Sequence, residues 1–203
     1  MKKLLYTFLA LSIIFSACEE DTPLPAANNN GNSNNSVLAI GDSHQGGVIF
    51  YLDGNGGGLI CDISDIASPL NQVVWGCYND SVSAAASTGI GSGFSNTTAI
   101  INGCNEVGIA AEICYNLTKG GYADWYLPSK DELNEMYTNK NIINTTSILN
   151  GGYAFDDDDD DGDEYWSSTQ ESPEYSTIQR FGDGHQKGRN KQNLACVRAI
   201  RNF

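Results

Sequence analysis

Positive charge is scarce in this sequence of 203 residues. Eleven lysines and arginines stand against 25 aspartates and glutamates, which gives a formal net charge of −14. A chain this acidic does not attract phosphates, so we expect no nucleic-acid partner. Histidine is scarcer still: His44 and His185 are the two imidazoles, and neither stands in an H-E-x-x-H or nucleophile-elbow context. No C-x₂-C pair is present either, so zinc binding has little support, and we expect no enzymatic activity.

Long hydrophobic runs are also missing. The apolar run from Leu4 to Phe15 is too short to cross a bilayer comfortably, and it follows Lys2 and Lys3, as in the h-region of a secretory signal. Ser16-Ala17-Cys18 resembles a bacterial lipobox. We therefore expect a lipoprotein signal peptide over residues 1–18, a lipid on Cys18 and an outer-membrane lipoprotein of the cell envelope. An ordinary signal cleaved after Ala17, or a small membrane anchor, is the alternative.

The next segment is polar and poor in apolar residues. Residues 19–36 are rich in Asn, Pro and Gly, and a segment of this composition cannot bury enough apolar surface to fold. We expect a disordered tether of roughly 25 Å mean span, which gives reach to a binding domain or serves as a passive spacer. Its first residues, Glu19-Glu20-Asp21, resemble the acidic export signal of surface-displayed lipoproteins. One domain should then occupy residues 37–203.

Two apolar runs around a glycine-rich turn predict a β-hairpin near the start of this domain. Val48–Leu52 and Leu59–Ile63 flank Asp53-Gly54-Asn55-Gly56-Gly57-Gly58. No Gly-Lys-Ser/Thr follows the glycines, and they lead into a strand instead of a helix, so the turn is not a phosphate loop.

Helical and strand patterns alternate through the rest of the chain. A helix in two pieces runs from Thr97, its second piece carrying the stripe Val107, Ala110, Ala111 and Cys114. A second helix should run from Lys130 to about Asn139, because Ser129 and Glu132 form a capping box before it. A polar connection should follow, with apolar contacts made by Ile142, Ile143, Ile148 and Leu149.

Three strands should close the domain: Tyr165–Ser168, Tyr175–Phe181 and Leu194–Ile200. The fold class is therefore α+β, with two main helices, antiparallel sheets and long loops.

Three segments in this order carry a family resemblance. They are Asp124–Leu133 (D-W-Y-L-P-S-K-D-E-L), Tyr165–Thr169 (Y-W-S-S-T) and Ala195–Arg201 (A-C-V-R-A-I-R). Together they resemble the signature of the Lcl C-terminal domain family, formerly a domain of unknown function. The upstream half resembles the version of this domain on lipoproteins of Bacteroidetes-type bacteria. The resemblance implies a C-type-lectin-like fold, in which a last strand pairs with the first hairpin. The best-understood members of the family are surface adhesins that bind sulfated polysaccharide.

The resemblance implies a binding and adhesion protein whose ligand is an extracellular glycan or a protein surface. A structural envelope lipoprotein without a soluble ligand is one alternative. The other is an enzyme of the formylglycine-generating type, which resembles this fold and uses a reactive cysteine pair near the end of the domain. Cys196 stands alone in that region.

Five cysteines remain once Cys18 is assigned to the lipid. Five cannot all pair within one molecule. We expect the short-range bridges Cys61–Cys77 and Cys104–Cys114, with Cys196 buried as a small hydrophobic residue.

The most unusual composition is the acidic run Asp156–Glu164. Asp157, Asp159, Asp161 and Gly162 match the first half of an EF-hand calcium loop, and Asp163 and Glu164 add two carboxylates, but Ser168 stands where the bidentate Glu belongs. The run is either a solvated, self-repelling loop or a weak Ca²⁺ site, with calcium as the one cofactor considered.

Six of the cations cluster near the end of the chain: Arg180, Lys187, Arg189, Lys191, Arg198 and Arg201. Arg180, Lys187, Arg189 and Lys191 are candidates for an anion-binding patch. The alternative is that these cations pack against the acidic run and neutralise it.

Overall fold

The α+β class predicted from the sequence is confirmed. The computed structural model describes residues 37–155 and 164–203, and residues 37–203 form one compact unit. Four α-helices, rather than two, accompany three antiparallel sheets in the described part. The helices are α1 (Gly93–Gly103), α2 (Ala110–Tyr115), α3 (Lys130–Thr138) and α4 (Lys140–Leu149). The strands are β1 (Ser43–His44), β2 (Gly47–Leu52), β3 (Gly58–Asp62), β4 (Val73–Val74), β5 (Glu164–Gln170), β6 (Tyr175–Arg180), β7 (Gln186–Asn190), β8 (Leu194–Ala195) and β9 (Ile200–Asn202).

The largest sheet has the order β1-β2-β3-β9. Strands β2 and β3 form the predicted hairpin. The last strand, β9, pairs with β3 in the register Leu59↔Asn202 and Cys61↔Ile200, as the resemblance implied. The end of the chain therefore lies beside the hairpin turn.

The predicted strand Leu194–Ile200 is divided into β8 and β9. β8 pairs with β4, while the residues between β8 and β9 form backbone hydrogen bonds with other segments. Cys196 N–H bonds to the carbonyl of Glu164, and Val197 exchanges hydrogen bonds with Ala67. One continuous ladder is impossible because neighbouring residues bond to different segments.

The helices follow the local signals only in part. Ser129 and Glu132 form the predicted capping box of α3. The stripe assigned to the first helix is wrong at Val107, which precedes α2 and is 84% exposed. The expected polar connection after Asn139 is α4, on which Ile143 is buried and Leu149 is exposed. No described helix is long and apolar enough to cross a bilayer.

The three signature segments meet in one hydrophobic cluster. Trp125, Trp166 and Val197 lie in it together, all essentially without solvent exposure. The predicted central strand around Trp125 is reduced to a single bridge, in which Tyr126 exchanges backbone hydrogen bonds with Ile200. A second cluster, on the other side of the large sheet, contains Phe50, Cys61 and Ile200.

Both predicted disulfide pairings are wrong. The structure joins Cys77 to Cys104, with 5.7 Å between the Cα atoms, and leaves Cys61 and Cys114 as buried thiols. Cys61 belongs to the second hydrophobic cluster, whereas Cys77 and Cys104 belong to the first, so Cys61 does not face Cys77. The bridge instead ties the segment after β4 to the end of α1.

Candidate functional site

A groove opens where three distant segments meet: the β2–β3 hairpin, the end of β9 and the loop before α1. It encloses about 320 Å³, at the lower end of the range of small-molecule sites. We call it the hairpin groove. It is lined by Tyr51, Asp53, Gly58, Leu59, Ile90, Gly91, Asn202 and Phe203.

Two half-buried aromatic residues, Tyr51 and Phe203, give the groove its apolar surface. The backbone of Phe203 bonds to that of Gly58, N to O at 3.1 Å, which places its ring at the hairpin. The ring of His44 packs edge-on against it with 4.7 Å between the centroids. Phe203 is therefore held in place from two directions before any ligand arrives.

The carboxylate of Asp53 is oriented by its own turn. Its Oδ1 accepts backbone N–H groups from Asn55 at 2.7 Å and Gly57 at 3.0 Å, closing the glycine-rich turn. No hydrogen bond from a described residue reaches Oδ2. One oxygen thus stabilises the turn, and the other remains an acceptor at the groove.

The side-chain amide of Asn202 is oriented by a hydroxyl. Tyr126 donates its O–H to Asn202 Oδ1 at 3.0 Å, which leaves the amide N–H₂ of Asn202 as a donor at the groove. Burial raises the pKa of Tyr126, so its hydroxyl stays protonated. Beside this pair, the half-exposed ring of Phe94 packs edge-on against Tyr126 at 5.8 Å.

The wall that carries Ile90 is tied to the capping box of α3. Glu132 accepts the backbone N–H of Gly91 at 2.8 Å through Oε1, and that of Ser129 at 2.7 Å through Oε2. Ser129 in turn donates its hydroxyl to the carbonyl of Gly89 at 3.0 Å. Burial raises the pKa of Glu132. The signature segment Asp124–Leu133 therefore positions one side of the groove.

The four cations proposed for an anion-binding patch have different environments. Lys187 and Arg189 both bind Glu164, the last residue of the acidic run, with Lys187 Nζ 2.8 Å from Oε1. Arg180 pairs with Asp183 three residues later. The contacts of Lys187 and Arg189 with Glu164 fit the alternative in which these cations neutralise the acidic run, whereas the partner of Arg180 lies outside that run.

Lys191 is not part of any exposed patch. It is fully buried, and its ammonium lies 4.5 Å from the ring centroid of Trp75. The ammonium donates to Gln170 Oε1 at 2.7 Å and to the carbonyl of Asp80 at 3.0 Å. Burial lowers the pKa of Lys191 to about 8. This lysine therefore contributes to the core beside β5.

The calcium hypothesis concerns residues that are mostly not described. Asp157, Asp159, Asp161 and Asp163 lie outside the described residues, as does the lipidation site Cys18. Glu164 is 6% exposed and binds Lys187 and Arg189. Within residues 37–155 and 164–203, no three His, Cys, Asp or Glu side chains are grouped so as to hold a metal.

The thiols are buried away from the groove. Desolvation raises the pKa of Cys61 to about 12 and raises that of Cys114 as well, so both are protonated and weakly nucleophilic at neutral pH. Cys196 is fully buried, as expected, and accepts a contact from Gln72 Nε2 at 3.7 Å.

Two larger depressions lack the same combination of groups. One, of about 540 Å³, lies between α1 and the short 3₁₀ helix Ser83–Ala85 and is lined by small and hydroxyl-bearing residues. The other, of about 510 Å³, has an apolar rim formed by Leu70, which is 98% exposed, and Tyr153, which is 73% exposed. Of these three depressions, the hairpin groove is the one in which aromatic surfaces lie next to an exposed carboxylate and an oriented amide.

Sequence reasoning did not single out the hairpin groove. Tyr51, Ile90 and Phe203 lie far apart in the chain, and only their packing brings them together. The available signal was the turn itself, because an Asp before Gly-Asn-Gly commonly binds its own backbone.

One comparison with known proteins is informative. The family model of the Lcl C-terminal domain matches residues 69–201, well over half of the chain. No curated protein matches the chain. Within the groove, Ile90 and Gly91 lie inside the matched range, whereas the hairpin residues precede it and Asn202 and Phe203 follow it.

Proposed function

The chain belongs to the Lcl C-terminal domain family, and from that premise we propose that it is a non-catalytic binding protein of the cell envelope that binds an extracellular glycan in the hairpin groove. The observation that carries the proposal is the meeting of Tyr51 and Phe203 with the oriented side chains of Asp53 and Asn202. Aromatic faces next to a few well-placed polar groups are typical of sites for small polar ligands.

Each part of the groove has a role in this proposal. The rings of Tyr51 and Phe203 offer apolar surface to the C–H face of a sugar ring. Asp53 Oδ2 accepts a hydrogen bond from a sugar hydroxyl, and the Asn202 amide donates one. Because the groove is shallow, we expect weak binding to a single sugar unit and stronger binding when several copies on the membrane engage one polymer.

The proposed location rests on the N-terminal sequence. A lipid on Cys18 would hold the domain at the outer membrane, and residues 19–36 would separate it from the bilayer surface. Several acyl chains at about 0.8 kcal/mol per CH₂ give essentially permanent anchoring. The membrane and the glycan are thus the two partners proposed, and the net charge of −14 favours neither DNA nor RNA.

The absence of catalysis is part of the proposal. Within the described residues that line the groove, Asp53 is the one side chain that carries a carboxyl group, so a pair of Asp or Glu side chains as used in glycoside hydrolysis is not assembled there. Cys61 and Cys114 are protonated thiols in the interior. These features support binding without turnover.

The test is a glycan array probed with the full chain in detergent, with and without Ca²⁺. Wild type should bind a subset of oligosaccharides, and Phe203→Ala should lose most of that binding. The matched control is Tyr153→Ala, which removes an exposed aromatic ring from the rim of the depression of about 510 Å³, here called the apolar depression. Melting temperatures show whether each variant is folded.

The outcomes separate the rival functions. Loss of binding in Tyr153→Ala but not in Phe203→Ala would move the site to the apolar depression and refute the groove. If no glycan binds, the proposal fails, and a structural lipoprotein without a soluble ligand becomes the better description. Binding that requires Ca²⁺ would support a role for the acidic run around Asp159.

A further inference from the structure

The charged side chain that lines the hairpin groove is negative and not positive, and this limits the class of glycan that the proposed function concerns. Among the described residues that line it, Asp53 is the one charged side chain, and it is exposed. The carboxyl group of Glu132 accepts the N–H of Gly91 from behind the wall, but it is buried and does not line the groove. Among the side chains that a ligand in the groove meets, Asp53 therefore carries the charge.

The lysines and arginines of the described residues lie outside the groove. All except Lys2 and Lys3 lie in the described residues, and none of them lines the groove. Arg201 is next in sequence to Asn202, but its guanidinium is bound by Asp124 at 2.7 and 2.9 Å and lies 3.8 Å from the ring centroid of Tyr122. Its side chain is 6% exposed. A sulfate placed in the groove would find no cation among the lining residues.

From this geometry we infer that the hairpin groove prefers sugar units without sulfate or carboxylate groups, and that Asp53 is the residue that weakens the binding of anionic sugars. The inference rests on the proposed function and narrows its ligand class. It separates this chain from the sulfated ligands of the adhesins that the sequence resembles. The groove residues that carry the charge and the aromatic surface lie outside the matched range 69–201.

Neutral sugars meet each group in the groove favourably. A sugar hydroxyl donates to Asp53 Oδ2, which accepts no hydrogen bond from a described residue. The Asn202 amide donates to a sugar hydroxyl or to an acetamido oxygen. A sulfate at the same position brings a full negative charge close to Asp53. At the surface this repulsion weakens binding about tenfold at low salt, and less at high salt.

The experiment compares matched pairs of probes on the full chain in detergent. Each neutral oligosaccharide on an array is printed beside its own O-sulfated derivative, and dissociation constants of the best pair are measured by calorimetry at low salt and at about 0.5 M salt. Wild type should bind the neutral member about tenfold more tightly at low salt, and the difference should shrink at high salt. Asp53→Asn should narrow the difference at low salt, because it removes the negative charge and keeps Oδ1 as the acceptor of the turn.

The possible failures are distinguishable. Tighter binding of the sulfated member by wild type overturns the inference but leaves glycan binding in place. An unchanged preference in Asp53→Asn, with an unchanged melting temperature, overturns the role of Asp53. If neither member of any pair binds, the inference and the proposed function both fail. Asn202→Ala, which retains Asp53, serves as the control: it should weaken both members of a pair alike.

Discussion

The ring of Phe203 lies directly over Gly58, so close that a Cβ at position 58 would come within 3.0 Å of ring atoms Cε1 and Cζ. The same Cβ would come within 2.1 Å of the carbonyl oxygen of Tyr51. Only glycine leaves room at this position for both aromatic residues of the hairpin groove to keep their places. The shape of the groove therefore depends on Gly58 having no side chain.

Replacing Gly58 with Ala should damage both stability and binding. The added methyl meets backbone and ring atoms that have little freedom to move, and overpacking of this kind costs about 1–3 kcal/mol. Chemical denaturation should show this loss, and glycan binding should fall with it because the Phe203 ring is displaced. Gly89→Ala is the matched control, since a Cβ there has no atom within 4 Å. Equal stability of the two variants would contradict the packing described.

The Cys77–Cys104 bridge should be a major source of stability. It joins residues 27 positions apart, and closing a loop of that length in the unfolded chain is worth about 3–4 kcal/mol. Reduction should lower the unfolding free energy by that amount, and Cys77→Ala/Cys104→Ala should show the same loss with no further response to reductant. A non-reducing peptide map that finds Cys61 joined to Cys77 would refute the assignment.

Local features of the fold could be predicted from the sequence, because they depend on neighbouring residues. The capping box of Ser129 and Glu132 spans three positions and needs no other part of the chain. The hairpin was equally accessible, since two apolar runs on either side of a glycine-rich turn define both strands. Juxtaposition of the three signature segments followed from the family resemblance.

The remaining features depend on which face of an element a residue occupies and on contacts between distant segments. The cysteine pairing was wrong because proximity in sequence did not indicate that Cys61 faces the second hydrophobic cluster. The sequence placed Arg198 in a cluster of cations near the end of the chain. It did not identify the partner of Arg198, because Asp65 lies 133 residues away. The hairpin groove was missed for the same reason: the segment that carries Ile90 is held at the groove by bonds to residues about 40 positions later, from Gly91 to Glu132 and from Ser129 to Gly89.

The buried carboxyl of Glu132 should give the protein a characteristic pH dependence. Burial raises the pKa of Glu132 in the folded state, so the folded protein holds this proton more tightly than the unfolded chain. Stability should therefore fall as pH rises from the ordinary Glu value, about 4.3, through the raised value, and then level off. The difference in unfolding free energy between wild type and Glu132→Gln, measured from acidic to neutral pH, isolates this contribution.

A charge control is needed for that measurement. Asp131→Asn changes one carboxyl to an amide on the exposed side of the same helical turn. If the wild-type minus Glu132→Gln difference rose with pH instead of falling, the buried environment assigned to Glu132 would be incorrect.

The last prediction concerns the ion pair of Asp65 and Arg198, which lies in the interior below the apolar depression. Arg198 Nε lies 2.7 Å from Asp65 Oδ1, and the two side chains are 0% and 7% exposed. The guanidinium also lies 3.9 Å from the ring centroid of Phe155, and Tyr165 donates its hydroxyl to Asp65 Oδ2 at 2.9 Å. Removing one partner would leave the other charge buried without its counterion.

Asp65→Ala and Arg198→Met should therefore each cost about 3–5 kcal/mol in chemical denaturation. The double variant should lose clearly less than the sum of the two, because it leaves no isolated charge in the interior. Asp183→Ala, which breaks an exposed pair with Arg180, should cause a much smaller loss because water already screens that pair. Strict additivity of the Asp65 and Arg198 variants would mean that the two charges do not depend on each other, contrary to their burial as a pair.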